Sequence, residues 1–574
     1  MTSIQVKNRV SVDSGFLNLS CSPLLKQLYV NRGIVDEGEL DNSTKTLLHA
    51  QQLKGIEQAC ELLYSSLLTS QKIIVVGDFD ADGATSTALS ILALRALGFT
   101  NIDYLIPNRF DYGYGLSPEI VDLAISKGAQ VLMTVDNGIS SISGVKHAKD
   151  KGLKVLVTDH HLPGEETPQA DAIVNPNQHG CSFPSKNLAG VGVAFYVMLA
   201  LRSYMQNKGY FTTFKAPNLA NLLDIVALGT VADVVKLDAN NRTLVQQGLA
   251  RIRAGVCRMG ISALISVAKR NQSQLVASDL GFSLGPRLNA AGRLDEMSYG
   301  VELLLCENME QANILANELD GLNQSRREIE QGMQDEALKT LANLSLDETS
   351  IPHAICLFEA DWHQGVIGLV ASRIKERYYR PTFAFAKAGN GEIKASARSI
   401  PGIHIRDVLD LVDKRIPGVI LKFGGHAMAA GLSLKEPDFK IFEETLNKVL
   451  QEQVNDDLLN NIILSDGQLM GAQFTLEQAQ ELRDAGPWGQ GFPAPLFDGI
   501  FKLRQQRLVG EKHLKMTLEV DGKIIEAIAF NIDIKTWPDP NIKTVYCVYR
   551  LDINEFRGNR SVQMLVELLR QTKP

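Results

Sequence analysis

The chain has 574 residues, 45% apolar and 21% charged, and its 65 acidic against 58 basic side chains give a net charge of −7. That length exceeds one hydrophobic core, so roughly three to five domains are expected, and the acidic balance argues against a nucleic-acid partner, although whole-chain charge is a blunt measure when part of it is a locally neutralised acidic centre. Seven scattered cysteines without a CxxC pair, no signal-like N-terminus and no apolar run longer than 194–201 argue against a disulfide framework, a zinc ribbon, secretion and a membrane span, so a soluble cytoplasmic protein is expected.

Residues 1–45 show little periodicity and read as an N-terminal extension. From 46 to 270 apolar strands alternate with helical stretches, which predicts βαβ units and a parallel sheet. Strands are expected at 72–76, 103–107 (ending near Arg109), 131–135, 154–157 and 172–174, with a buried crossover helix over 84–97. Residues 271–345 form a connecting region. Within it Ala312, Leu315, Leu319, Leu322, Ile329, Met333 and Ala337 make a helical stripe, so 308–340 is predicted as one long helix between two lobes. A second α/β region, 346–455, opens on a strand at 353–358, continues through a loop feeding a helix at 362–373, and contains a glycine-rich turn at 423–431. After the breaker-rich connection 486–495, alternating runs at 514–520 and 545–551 predict a β-rich C-terminal domain within 456–574.

Three of these strands end abruptly in carboxylates. One runs into Asp78, Asp80 and Asp82, the next into Asp136, and the third into Asp159, His160 and His161. Ligands of open parallel sheets bind beyond the carboxyl ends of the strands. Carboxylates crowded there would repel one another and be costly to desolvate, so a cation is the natural partner. Oxygen donors with an imidazole suit Mn²⁺ or Mg²⁺ rather than structural zinc. Two such ions roughly 3.5–4 Å apart are suited to in-line phosphoryl displacement. A lone aspartate after a strand more often caps the following helix, and His161 alone also reads as a buried, hydrogen-bonded histidine. Two basic clusters, 372–380 and 500–515, read equally well as solvated faces or as phosphate contacts.

The combination Asp78-Phe-Asp-Ala-Asp-Gly83, Asp136-Asn-Gly138 and Asp159-His-His161 resembles the DHH phosphoesterase superfamily. The stretches 223–235 and 284–294 resemble, more narrowly, its single-stranded-DNA-specific exonucleases, and Gly424-Gly425-His426 resembles the companion DHHA1 domain. The resemblance covers about residues 46–571. It implies a DHH catalytic domain (46–270), the connecting region, a DHHA1 domain (346–455) and an OB-fold-like nucleic-acid-binding domain (456–574). The fold class is therefore α/β, with two parallel-rich lobes joined by a long helix, plus a C-terminal β-barrel.

The resemblance also implies roles. Asp78 and Asp80 would serve one metal, Asp82, His160 and Asp233 the other, and Asp136 would bridge both, with Asp224 the alternative to Asp233. His161 would contact the scissile phosphate. Arg109, Arg287, Asn289 and Arg293 would line the DNA path. Ser372 and Arg373 would hold a terminal phosphate, and Ser396, Arg398 and His426 would face the cleft. Phe501 and Tyr546 are candidate base-stacking residues in the barrel. The activity implied is processive 5′→3′ degradation of single-stranded DNA to 5′-mononucleotides in DNA repair and recombination, with two Mn²⁺ or Mg²⁺ ions. A monomer is implied, working beside a single-strand-binding protein and a helicase and away from any membrane. Alternatives are a DHH phosphoesterase for short oligonucleotides, cyclic dinucleotides or pyrophosphate, and a non-catalytic replication scaffold. A nucleotide-binding dehydrogenase is remote, because no G-x-G-x-x-G follows the first strand.

Overall fold

The computed structural model describes residues 4–9, 19–108, 112, 115–213, 215–343, 351–556 and 558–572. Its contacts divide the chain into two units, residues 8–322 with 465–574 and residues 1–7 with 323–464.

The larger unit starts from α1 (Pro23–Val30), whose proline and Ser22 cap suit a helix start. Next come β1 (Ile73–Gly77), α2 (Ala81–Ala96), β2 (Ile102–Leu105), β3 (Val131–Val135), β4 (Lys154–Thr158) and β5 (Ala172–Val174). The five strands form one sheet in the order β2-β1-β3-β4-β5, parallel throughout. Both faces are buried, which explains why the strands read as continuous apolar runs. Ile73, Val75, Val131, Met133 and Leu156 enter one core, and Ile74, Val76, Leu132, Val155 and Val157 the other. Buried α2 packs against α3 (Gly190–Asn207) and α4 (Leu223–Ala232). Its buried hydroxyls donate back to the helix's own carbonyls, Thr87 to Gly83 and Ser90 to Ser86, both at 2.8 Å. Further along come α5 (Gly285–Leu294) and the 35-residue α6 (Met309–Asn343), the long helix predicted over 308–340, of which residues 309–322 belong to this unit and the rest to the smaller one.

In the smaller unit, β6 (Ile355–Phe358), α7 (Ile367–Tyr378), β7 (Thr382–Gly389), β8 (Glu392–Arg398), β9 (Ile420–Gly425) and β10 (Ala429–Lys435) follow one another. The sheet order is β9-β10-β8-β7-β6. Only β6 and β7 run parallel, so this sheet is mixed. The glycine-rich turn is the β9–β10 hairpin, in which Gly424 pairs with Gly431 and Gly425 with Ala430.

The larger unit is completed by a closed barrel of β11 (Phe497–Val509), β12 (His513–Val520), β13 (Lys523–Ala529), β14 (Thr544–Phe556) and β15 (Asn559–Gln571), in the order β11-β12-β13-β15-β14. Phe501 is 1% exposed and packs inside it, 5.5 Å from Tyr549 and 6.1 Å from Phe474 between ring centroids. It therefore cannot stack on a base. The Tyr546 hydroxyl donates to Asp498 at 2.9 Å. Much of the basic run 500–515 is answered across the strands, Arg504 by Glu519 and Lys515 by Glu526. For these residues the solvated-face reading holds.

The segment expected as an N-terminal extension contributes to this unit's core. Tyr29 stacks on Trp488 and Phe492, with ring centroids 6.0 and 6.2 Å apart. Arg32, its side chain fully buried, grips both oxygens of Asp466 at 3.0 and 2.8 Å. Without Arg32, buried Asp466 would keep only Arg9, at 3.3 Å, and the Leu496 N–H, at 3.0 Å, and would lose its two-point partner. Arg32→Ala is therefore expected to lower unfolding stability by about 2 kcal/mol, read as a fall in Tm of several degrees. A wild-type Tm would contradict this account of α1.

Candidate metal centre

Loops leaving β1, β3 and β4 and the end of α4 meet at one place. Asp80 is the N-cap of α2, and its Oδ1 accepts from the N–H groups of Asp82 and Gly83 at 2.9 and 3.0 Å. The capping interpretation of this aspartate and the metal interpretation thus apply to the same side chain. Asp82, 1% exposed, accepts from the N–H groups of Gly190 and Val191 at 2.6 and 2.9 Å, at the positive end of α3. Asp136 follows β3 with φ of +62°, and a Cβ at Gly190 would lie 2.6 Å from the Asp136 Cβ. Only glycine lets the start of α3 approach that closely.

His160 Nε2 stands 3.1 Å from Asp136, 3.5 Å from Asp233 and 3.9 Å from Asp82. Three groups each present ligand atoms within 4.8 Å of one another: Asp78, Asp80 and Asp136; Asp82, His160 and Asp233; and Asp136, His160 and His161. Asp136 belongs to the first and the third, and contacts the second through His160. Asp224, the alternative to Asp233, is occupied elsewhere, accepting from the N–H groups of Ile225 and Arg258 at 2.8 and 2.7 Å.

The electrostatics follow from crowding. Burial, with the Asp80 charge beside it, pushes the Asp82 carboxyl up to about 7. Burial, then neighbouring aspartates, raises Asp136 and Asp233 well above the carboxylate range. Asp159 behaves in the opposite way. Burial would raise it, but hydrogen bonding to His161 and the His161 charge outweigh burial and hold it low. Burial likewise disfavours charged His161, yet the 2.7 Å Asp159 contact raises it to about 9. Asp159 therefore orients His161 and favours its imidazolium form.

The donor set is carboxylate and imidazole without thiolate, which suits a hard divalent cation. Asp233 Oδ2 is buried without a hydrogen-bond partner among the described residues. A divalent cation would satisfy both that oxygen and the mutual repulsion.

Comparison with known proteins agrees. The DHH family, N-terminal domain, matches residues 72–230, the DHHA1 domain 350–455, and the RecJ OB domain 465–567. The chain is 58% identical to the single-stranded-DNA-specific exonuclease RecJ of Escherichia coli, over 98% of each chain. It is 33% identical to that of Bacillus subtilis, over 98% of this chain and 70% of the other. The chain belongs to the RecJ family. The crystal structure of RecJ from Thermus thermophilus in complex with Mn²⁺ superposes with a TM-score of 0.79 at 29% identity, covering 96% of this chain and 76% of that one. The Mg²⁺ complex gives 0.74 at 28%, covering 96% and 75%.

Against this RecJ-family frame, the remaining predicted residues divide. Arg109 lies outside the described residues. Arg287 is buried and committed to Asp320 of α6 at 2.8 Å and to the Ser283 carbonyl, so it braces α5 rather than lining a path. Asn289 accepts from the Ala81 N–H at 2.8 Å, which places it against the acidic loop. Arg293, half-buried, lies one turn further along α5. Ser372 and Arg373 sit inside α7, not at its start, and Arg373 is already held by Glu330 at 2.9 Å, with Glu376 at 3.5 Å. Those carboxylates oppose the phosphate role expected of it. Ser396 and Arg398 are bonded to each other at 2.9 Å, and a Cβ at Gly368, near the start of α7, would come within 2.8 Å of both. His426 lies in the β9–β10 turn, its N–H donating to the Ala429 carbonyl at 2.8 Å.

Two functional residues escaped the sequence reading. Asn175 and Asn177, just past β5, donate to the carbonyls of His161 and His160 at 2.9 and 2.6 Å, fixing the histidine loop. The available signal was the same as in the acidic loops, a short apolar strand ending in polar side chains.

The shifted groups define a pH test. A carboxyl raised in the fold stabilises it below its unfolded value of roughly 4, and that contribution disappears as pH climbs through the folded value, about 7 for Asp82. A histidine raised to about 9 stabilises the fold below its unfolded value of roughly 6.5 and loses that contribution toward 9. Both slopes have the same sign. In EDTA the Tm is expected to fall from about pH 5 to pH 9, and saturating Mn²⁺ is expected to remove much of the Asp82 slope by holding that carboxyl ionised. A flat profile in EDTA would count against the centre as described.

Proposed function

We propose that the chain is a metal-dependent exonuclease that degrades single-stranded DNA from its 5′ end to 5′-mononucleotides, in DNA repair and recombination. The observation that carries this reading is the meeting of Asp78, Asp80, Asp82, Asp136, His160 and Asp233 within ligand distance, in a chain 58% identical to a single-stranded-DNA-specific exonuclease. Asp78 and Asp80 would hold one ion, Asp82, His160 and Asp233 the other, and Asp136 would bridge. The ions, Mn²⁺ or Mg²⁺, supply Lewis acidity and charge neutralisation for phosphodiester hydrolysis.

The chain's own groups do the rest. Asp159 holds the His161 imidazolium toward negative charge, so His161 is suited to the scissile phosphate, where charge develops. Ser396 and Arg398, beside the start of α7, offer a hydroxyl and a guanidinium to a terminal phosphate. We assign residues 46–270 to catalysis, 271–345 to the connection, 346–455 to substrate handling and 456–574 to single-strand binding. The closed barrel and its RecJ OB match favour a long strand over a dinucleotide. No helix among the described residues is long and apolar enough to cross a membrane. A cytoplasmic monomer working with a single-strand-binding protein and a helicase completes the proposal, on family resemblance.

Asp136→Ala is expected to abolish release of mononucleotides from end-labelled single-stranded DNA in Mn²⁺, while oligonucleotide binding persists; robust turnover would overturn the assignment. Asp233→Asn is expected to lose Mn²⁺ affinity roughly tenfold or more. Asp224→Asn should keep that affinity but melt earlier, because its carboxylate only secures backbone N–H groups. Equal Mn²⁺ binding by the two variants would remove the distinction drawn here.

A further inference from the structure

The first turn of α2 carries the acidic loop, and helix starts leave N–H groups unpaired. Asp80 Oδ1 satisfies two of them, on Asp82 and Gly83. The Ala81 N–H, partly buried, is satisfied from outside the loop, by Asn289 Oδ1 of α5 at 2.8 Å. The same helix presses on the loop a second time, since a Cβ at Gly292 would lie 1.8 Å from the Phe79 carbonyl. Helix α5 is itself secured by Arg287, bonded to the Ser283 carbonyl and to Asp320 on α6. Asn289 is thus a contact through which a braced helix fixes the backbone between Asp78 and Asp82, and it does so as the acceptor for the Ala81 N–H.

We propose that Asn289 is a positioning residue for the cation site. By capping Ala81 it relieves the Asp80 carboxylate of a third N–H and holds Asp78 and Asp80 in register with Asp136, so cation affinity depends on it and single-strand affinity does not. Groups outside the ligand shell that orient ligands typically change metal affinity by about 10- to 100-fold. This rests on the two-cation reading above. It differs from a DNA-path role for the same residue.

The test uses the full-length protein and Mn²⁺ alone, with bound ion counted by electron paramagnetic resonance. Asn289→Leu, similar in size but without an acceptor, is expected to weaken Mn²⁺ binding roughly tenfold or more, while oligonucleotide affinity in EDTA stays within about twofold of wild type. Asn289→Asp, whose carboxylate accepts the same N–H, is expected to bind Mn²⁺ at least as tightly as wild type. Unchanged Mn²⁺ binding by Asn289→Leu, or lost oligonucleotide affinity with intact Mn²⁺ binding, overturns the proposal. If Asn289→Leu does not fold, Asn289→Ala is read against the same two outcomes. A wild-type protein that binds no Mn²⁺ overturns the two-cation reading and this inference together, whereas wild-type binding with unaffected variants overturns this inference alone.

Discussion

Mutual repulsion among buried carboxylates is the constraint around which the larger unit is organised. Asp82 and Asp136 are almost completely shielded from water, and together with Asp78, Asp80 and Asp233 they occupy a space that one positive histidine cannot neutralise. Without cations, burial and the neighbouring aspartates favour the protonated forms of Asp82, Asp136 and Asp233. Local devices reduce the remaining cost. The N-terminus of α3 donates two N–H groups to Asp82, and Asp159, whose own charge is matched by His161, is thereby kept from adding to the repulsion. Divalent ions bound there would displace those protons, since carboxylate ligands must be deprotonated to bind a metal.

Parallel register explains why aspartates distant in sequence arrive level with one another. Gly77 of β1 is opposite Val135 of β3, and Val135 is opposite Thr158 of β4. The next residues along the three strands are Asp78, Asp136 and Asp159, so all three leave the sheet at one height. Asp136 is on the middle strand, which accounts for its membership of two ligand groups. The outer two differ in their further contacts. Asp78 joins Asp80 in the loop before α2, while Asp159 turns back onto backbone N–H groups and His161 and serves as an orienting carboxylate.

The strands and the acidic loops were legible in the sequence because burial on both faces leaves an apolar run and the ligands follow it directly. The long helix was legible for a similar reason, a sustained stripe over 308–340. What was not legible depended on the partner a side chain meets in three dimensions. Arg287 and Arg373 look alike in sequence as cations suited to phosphate, yet Asp320 and Glu330 claim them. Phe501 reads as a surface aromatic of a β-rich domain, but the barrel's inside-outside alternation turns it inward. In the sequence, family resemblance alone favours Asp233 over Asp224, and the fold supplies the physical reason, the first turned to His160 and the second to backbone N–H groups. The start of the chain lacks sustained periodicity because α1 is only eight residues long, so its buried stripe of Leu25, Leu28 and Tyr29 covers too few turns to stand out.

Backbone strain marks the same centre independently of charge. Among the described residues, eight non-glycine positions have positive φ, and the two at this centre are Asp136 at +62° and Val234 at +61°, the latter immediately after Asp233 and the one β-branched residue of the eight. Aspartate tolerates this region, whereas a β-branched valine does so at a cost of roughly 1–3 kcal/mol. Val234 is also 64% exposed, so burial of its own side chain does not offset that cost. The sharp turn ends α4 at Asp233 and leaves that carboxylate 3.5 Å from His160 instead of continuing the helix past it. A chain selected for stability alone would relax this residue, for instance with glycine. The strained turn sets a buried Asp233 oxygen that has no hydrogen-bond partner among the described residues beside His160, and a cation bound there would offset part of that local cost.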